Sequence, residues 1–94
     1  MPDTEPSAAP RLARYAREMR ALARRTRELP GPEPVREPRD RLARAMTVVS
    51  GDLARLSAAA ARDDQPAAVN AIENARAHSR ALSEARAALE SAAR

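Results

Sequence analysis

The chain has 94 residues, which is enough for one domain, and 44% of them are apolar. It contains no Cys, Trp or Phe and one Tyr, so disulfide bonds and thiolate metal sites are excluded and alanine must supply much of any core. The net charge is +4, and every basic residue is an arginine.

No apolar stretch approaches the roughly 18 residues that a membrane-spanning helix needs. The chain starts with polar and acidic residues and lacks the apolar segment of a signal peptide. We therefore expect a cytoplasmic protein without a membrane span.

The first predicted element is a basic amphipathic helix over residues 10–29, preceded by a disordered tail over residues 1–9. Pro10 is tolerated in the first turn of a helix, because its missing N–H is not needed there. At about 100° per residue, one arc of this helix is apolar and contains Leu12, Tyr15, Met19, Leu22, Thr26 and Leu29. The opposite arc is basic and contains Arg14, Arg17, Arg20, Arg24, Arg25 and Arg27.

This basic arc is the candidate basic binding face of the chain. Residues 11–29 contain seven arginines and two glutamates, so the positive surplus of the whole chain lies in this helix. Four interpretations remain open: a solvated outer face, an acidic or apolar protein partner, nucleic-acid phosphates, or an anionic membrane. The solvated face is favoured. With Tyr15 as the sole aromatic residue, membrane anchoring and base stacking are disfavoured.

Four prolines fall within residues 30–38. Proline lacks a backbone N–H and disfavours helix in the residue before it, so this segment is predicted to be a polyproline II linker. Such a linker either runs back along the first helix, which leaves helices 1 and 2 parallel, or holds the first helix away from the rest.

A second helix is predicted from Arg39 or Asp40 to Arg62. Its apolar residues alternate at intervals of four and three, as in a coiled coil: Leu42, Met46, Val49, Leu53, Leu56 and Ala60. Gly51 lies within this helix at a cost of roughly 1 kcal/mol relative to alanine. The repeat keeps its phase across Gly51, which predicts one helix; a kink or a close helix crossing at Gly51 is the alternative.

A short turn at residues 63–66 predicts that the third helix is antiparallel to the second and runs to about Ala92. An aspartate of the turn can cap this helix, and Pro66 can occupy its first turn. Its predicted packing seam is Ala68, Ile72, Ala75, Ser79, Leu82, Arg86, Leu89 and Ala93. The polar Ser79 and Arg86 weaken this seam and can set register or oligomeric state.

His78 is the single histidine, and without cysteine a metal site would need several carboxylates around it. Glu73 and Glu84 lie five and six residues away, off its helical face. We therefore interpret His78 as a half-exposed residue beside the seam. Ala81 and Leu82 stand where the histidine-phosphotransfer motif has lysine and glycine, so we do not assign the chain to that family.

The sequence contains no recognisable catalytic machinery. The serines of the last two helices lie within helical patterns, and both glycines stand alone, so neither a nucleophile elbow nor a phosphate loop is predicted. We expect no catalytic residue, no cofactor, no metal and no enzymatic activity.

The predicted fold is all-α: an antiparallel hairpin of helices 2 and 3 plus the N-terminal amphipathic helix. These three helices close as a three-helix bundle or pair as a dimeric four-helix-type bundle, and the thin core favours a homo-oligomer or another protein partner. The candidate association seam contains Leu42, Met46, Val49, Leu53, Leu56, Ile72, Leu82 and Leu89. The predicted function is a protein-interaction or assembly module, such as an adaptor or regulatory subunit, that associates through the hairpin. The alternative is a nucleic-acid-associated protein that uses the arginines of helix 1.

Overall fold

The computed structural model describes residues 8–94, which form three helices. They are α1 (Ala9–Glu28), α2 (Glu33–Ala61) and α3 (Gln65–Ala92). This part of the chain contains no strand, so the all-α fold is confirmed as a three-helix bundle, with Cα extents of 46 × 20 × 15 Å. Among these helices, none is long and apolar enough to cross a membrane.

Helix α1 confirms the helix predicted over residues 10–29 and begins one residue earlier. Pro10 lies in its first turn, and Arg25 and Arg27 lie in its last turn, where positive charge interacts favourably with the helix dipole. Ala8 and Ala9 are buried, so the tail predicted over residues 1–9 does not include them. The rest of that tail, residues 1–7, lies outside the described part of the chain.

The linker predicted over residues 30–38 is wrong in extent, because α2 begins at Glu33. Pro34 falls in the first turn of α2, where the backbone N–H groups have no partner within the helix. Pro38 lies further inside and removes one backbone hydrogen bond near the N-terminus of a 29-residue helix. Arg39 donates a hydrogen bond from Nη1 to the carbonyl oxygen of Leu29 at 2.8 Å, which ties the start of α2 to the connection.

Helices α1 and α2 are antiparallel, so both arrangements predicted from a long linker are wrong. The Ser57 hydroxyl donates a hydrogen bond to the Ala9 carbonyl oxygen at 2.8 Å, which joins the end of α2 to the start of α1. Near the other end of α1, the Thr26 hydroxyl lies 3.5 Å from the Met46 sulfur. The short connection of residues 29–32 forces this reversal of direction.

The turn between α2 and α3 closes the predicted hairpin with two overlapping caps. Asp63 adopts a left-handed conformation with φ of 54°. The N–H of Asp64 donates to the Ala59 carbonyl at 2.9 Å and that of Asp63 to the Ala60 carbonyl at 3.1 Å, which is the Schellman pattern. The Asp64 carboxylate then accepts from the Ala67 N–H at 3.1 Å, so the predicted aspartate cap of the third helix is confirmed.

Helix α2 is the central element, because α1 and α3 each pack along it and approach each other little. The three helices meet most closely at the end that carries the α2–α3 turn. The buried cluster there is built mainly from alanine and contains Ala8, Ala9, Leu12, Leu56, Ala59, Ala60, Ala68 and Ala71. Because alanine side chains are short, the helices come close together while burying little apolar area per residue.

The packing face predicted for α3 is wrong at three positions, one of them Ala93, which is exposed just beyond the end of α3. Ser79 and Arg86 are exposed, and their neighbours His78 and Ala85 point inward instead. The observed face alternates at intervals of three and four: Ala68, Ala71, Ala75, His78, Leu82, Ala85, Leu89 and Ala92. This phase keeps the Arg86 guanidinium in solvent and avoids the cost of burying an unpaired charge.

Candidate functional site beside helix α1

The candidate association seam lies largely inside the single chain. Leu42, Val49 and Leu56 are buried. The other members are partly buried, namely Met46, Leu53, Ile72, Leu82 and Leu89. The seam therefore contributes to packing within one molecule, and a second molecule would reach Leu42, Val49 and Leu56 only after the helices separate.

A groove of about 550 Å³ opens between α1 and α2. Its lining residues are Tyr15, Glu18, Met19, Leu22, Arg25 and Leu53. We call it the α1–α2 groove. Four of the six side chains are apolar, and Tyr15 and Leu22 remain 43% and 42% exposed. Apolar side chains grouped in an open groove offer a surface that another protein can bury.

The groove exists because α1 packs against α2 with one edge of its predicted apolar arc rather than with the centre of the arc. Ala16 and Ala23 are almost fully buried, together with Leu12 and Thr26. The larger side chains of the arc are displaced towards one side of the contact, where Tyr15 and its neighbours stay accessible. The sequence correctly predicted which residues form the apolar arc of α1. The flanking Ala16 and Ala23 determine which side of this arc α2 covers.

The rim of the α1–α2 groove is charged. The Arg14 guanidinium lies 5.7 Å from the centre of the Tyr15 ring and 3.9 Å from the Glu18 carboxylate. Arg25 lines the groove directly and pairs with no carboxylate of residues 8–94. A cation over an aromatic face is a favourable contact, and it keeps positive charge at the edge of the apolar surface.

The six arginines of the candidate basic face are all exposed. Across residues 8–94, Arg14 alone among these six pairs with an acidic side chain, and that contact is long at 3.9 Å. The face therefore presents uncompensated positive charge along α1, next to the apolar groove.

A buried ionic cluster, which sequence reasoning missed, joins α2 to α3. The Asp52 side chain is 0% exposed and accepts two hydrogen bonds of 2.7 Å, one from Arg55 Nη2 and one from His78 Nδ1–H. The Arg55 and His78 side chains are 62% and 41% exposed, so water solvates their outer parts. His78 is half-exposed as predicted, but it lies within the packing face of α3 rather than beside it.

This cluster is not a metal site. Within residues 8–94, no three histidine or carboxylate side chains come together in a way that would hold a metal ion. Asp52 is surrounded by one imidazole and one guanidinium, and a guanidinium cannot ligate a cation. The arrangement supports a polar link between two helices instead.

Comparisons with protein-family models, with curated proteins and with solved structures found no match to this chain. The role of the α1–α2 groove therefore has to be inferred from its geometry.

Proposed function

We propose that this protein is a helical interaction module that binds a helical segment of a partner protein in the α1–α2 groove. The observation that carries the proposal is the open apolar floor formed by Tyr15, Met19, Leu22 and Leu53. Burial of such side chains supplies affinity in protein interfaces, and the aromatic ring offers a large contact area.

The spacing of the groove residues supports a helical ligand. Tyr15, Met19 and Leu22 follow one another at intervals of four and three on α1, which places them in a row of about 10 Å. A partner helix with apolar side chains at matching intervals lies along such a row, as in other helix-in-groove complexes. The groove replaces the hairpin seam as the proposed contact, since Leu42, Val49 and Leu56 of the seam already pack internally.

A second candidate function is binding to nucleic-acid phosphates through α1. The unpaired arginines favour it, and two of them, Arg17 and Arg20, border a shallow depression of about 220 Å³ on the side of α1 away from Tyr15. It ranks second because phosphate contacts alone would leave the apolar groove uncovered.

Photo-crosslinking tests the proposed function. A benzophenone amino acid placed at Leu22 in cells that make this protein should form an adduct with a discrete protein. The same group at Val69, which is apolar, 51% exposed and located on α3, is the matched control and should form none. Leu22→Arg should then weaken binding of the identified protein by about tenfold or more, while Val69→Arg should leave it unchanged.

Both arginine variants should retain the wild-type circular dichroism spectrum, because both positions are substantially exposed. Equal adducts at the two positions, or full binding by a folded Leu22→Arg variant, would show that the groove is not the binding surface.

A further inference from the structure

We infer that the occupant of the α1–α2 groove is an acidic amphipathic helix of a different protein, with carboxylates flanking its apolar stripe. The inference rests on the proposed function and adds the chemistry of the partner. Three features carry it: the apolar floor, the cations on its rim and the charge of α1 as a whole.

The rim favours a negatively charged ligand. Arg25 lines the groove without a carboxylate partner in the described chain, and Arg14 lies over Tyr15 at the edge. Glu18 is the one acidic residue of the lining, and it already lies close to Arg14. Helix α1 carries seven arginines and two glutamates, so the helix that supplies most of the groove lining has a positive net charge. Complementary charge steers and orients such a partner.

A second copy of this chain fits the groove poorly. A closed dimer uses the same surface on both molecules, so two grooves would face each other and bring two α1 helices together. Each α1 has a surplus of five positive charges, and the arginines that rim one groove would meet those of the other. Like charges placed together disfavour association, whereas an acidic helix neutralises the same residues.

A nucleic acid also fits the groove poorly, although it would satisfy the arginines. The floor between Tyr15 and Leu53 is apolar, and a phosphate backbone offers it no apolar surface. An amphipathic helix covers both parts at once, with its apolar stripe on the floor and its carboxylates towards the rim.

The decisive experiment selects binders to the full-length protein from a displayed library of helical peptides. The peptides carry leucine at fixed i, i+3 and i+7 positions, and the flanking positions are varied among Glu, Gln and Lys. We expect enrichment of Glu at the flanks. The resulting acidic peptide should bind about tenfold more tightly than its Gln counterpart at low salt, and high salt should reduce this difference.

Variants of the full chain separate the contribution of the apolar floor from that of the rim arginines. Leu22→Arg should abolish binding of both peptides. Arg14→Gln combined with Arg25→Gln should remove the preference for the acidic peptide and leave binding of the Gln peptide intact. Arg76→Gln combined with Arg80→Gln is the matched control, since both arginines are exposed on α3, and it should change neither affinity.

Each other outcome contradicts a defined part of the inference. Equal enrichment of Glu, Gln and Lys, with binding lost in Leu22→Arg, would refute the acidic partner and leave the proposed function standing. A homodimer in sedimentation that Leu22→Arg dissociates would assign the groove to a second copy. Duplex DNA that displaces the selected peptide would favour the nucleic-acid alternative. If no peptide is enriched over background, the proposed function fails as well.

Discussion

Asp52 is the one charged side chain among the buried residues of the described chain. One Asp52 oxygen accepts a hydrogen bond from Arg55 on the same helix, and the other accepts one from His78 on the neighbouring helix, at 2.7 Å each. Apolar contacts between helices tolerate sliding, whereas a hydrogen bond to a buried carboxylate holds only in one register. The cluster therefore fixes how α3 lies along α2.

Removal of the histidine should cost stability because Asp52 would stay buried with one hydrogen bond fewer. We expect His78→Ala to lower the free energy of unfolding by about 1–3 kcal/mol. His78→Asn, whose amide can still donate to Asp52, should recover part of this loss. Urea unfolding followed by circular dichroism measures both values.

Glu90→Ala is the control for this prediction. Glu90 forms an exposed pair with Arg86 at 3.1 Å, so its removal should change the free energy of unfolding by less than about 0.5 kcal/mol. An effect of His78→Ala no larger than that of Glu90→Ala would mean that the link between Asp52 and His78 contributes nothing to stability.

The spacing of residues in α2 contains one signal for the burial of Asp52. Ala45, Asp52 and Ala59 recur every seven residues and form a second face of α2, beside the leucine-rich seam. A helix with two buried faces lies between two neighbours, so an aspartate on the second face predicts a polar partner on the next helix. The identity of that partner depends on the phase of α3, which the sequence leaves ambiguous.

At the scale of the helices, the type and relative direction of α2 and α3 were predictable, whereas the start of α2 and the phase of α3 were not. Ala68, Ala75, Leu82 and Leu89 belong to both the predicted and the observed face. The two faces differ at intermediate positions, where, apart from Ile72, the competing residues are alanines or polar residues and give a weak apolar signal. Contacts with α2, including the bond to Asp52, decide between them.

Helix α2 also departs from the local preference of its first residues. Pro34 and Pro38 predict an extended linker, yet helix α2 includes both and continues without interruption through Gly51 to Ala61. A Cβ added at Gly51 would lie 3.7 Å from the Arg55 guanidinium, an ordinary contact, so no helix crosses closely there. The alternative of a close crossing at Gly51 is therefore wrong.

Gly51→Ala should stabilise the protein, since alanine favours helix and the added methyl group has room. We expect a gain of about 0.5–1 kcal/mol in the free energy of unfolding, measured by urea titration. Gly31→Ala provides the contrast, because a Cβ at Gly31 would clash with the Val35 side chain. A loss of stability in Gly51→Ala would show that the site needs the missing side chain.

At the scale of the whole molecule, α1 belongs to the bundle rather than to a separate unit. Leu12, Ala16, Ala23 and Thr26 are buried, and the Ser57 hydroxyl bonds to the first residue of α1. The alternative in which the linker holds helix 1 away from the rest followed from the proline-rich segment. The number of residues in the linker depends on where α2 begins, and local sequence does not determine that boundary.

Residues 33–94 alone should therefore lose most of their stability. Loss of α1 removes the buried Leu12 and uncovers Leu56, which packs in the same cluster. Burial of a leucine contributes about 1.5–3 kcal/mol, so these losses are a large share of the roughly 5–15 kcal/mol of a typical domain. We expect weak helicity and a broad thermal transition by circular dichroism. As a control, Gln at Arg17, Arg20 and Arg24 of the full chain should preserve a cooperative transition, because all three are exposed. A cooperative transition of residues 33–94 near the full-length midpoint would contradict this prediction.

The central position of α2 has a consequence for the order of folding. Both α1 and α3 reach α2 through short connections, so either hairpin closes at a small entropic cost, and chains with such local contacts fold within about microseconds to milliseconds. The two hairpins share α2 and little else, so folding can begin with α1–α2 or with α2–α3, and the remaining helix docks afterwards. A substitution that slows one route leaves the other open, whereas a substitution in the middle of α2 slows both.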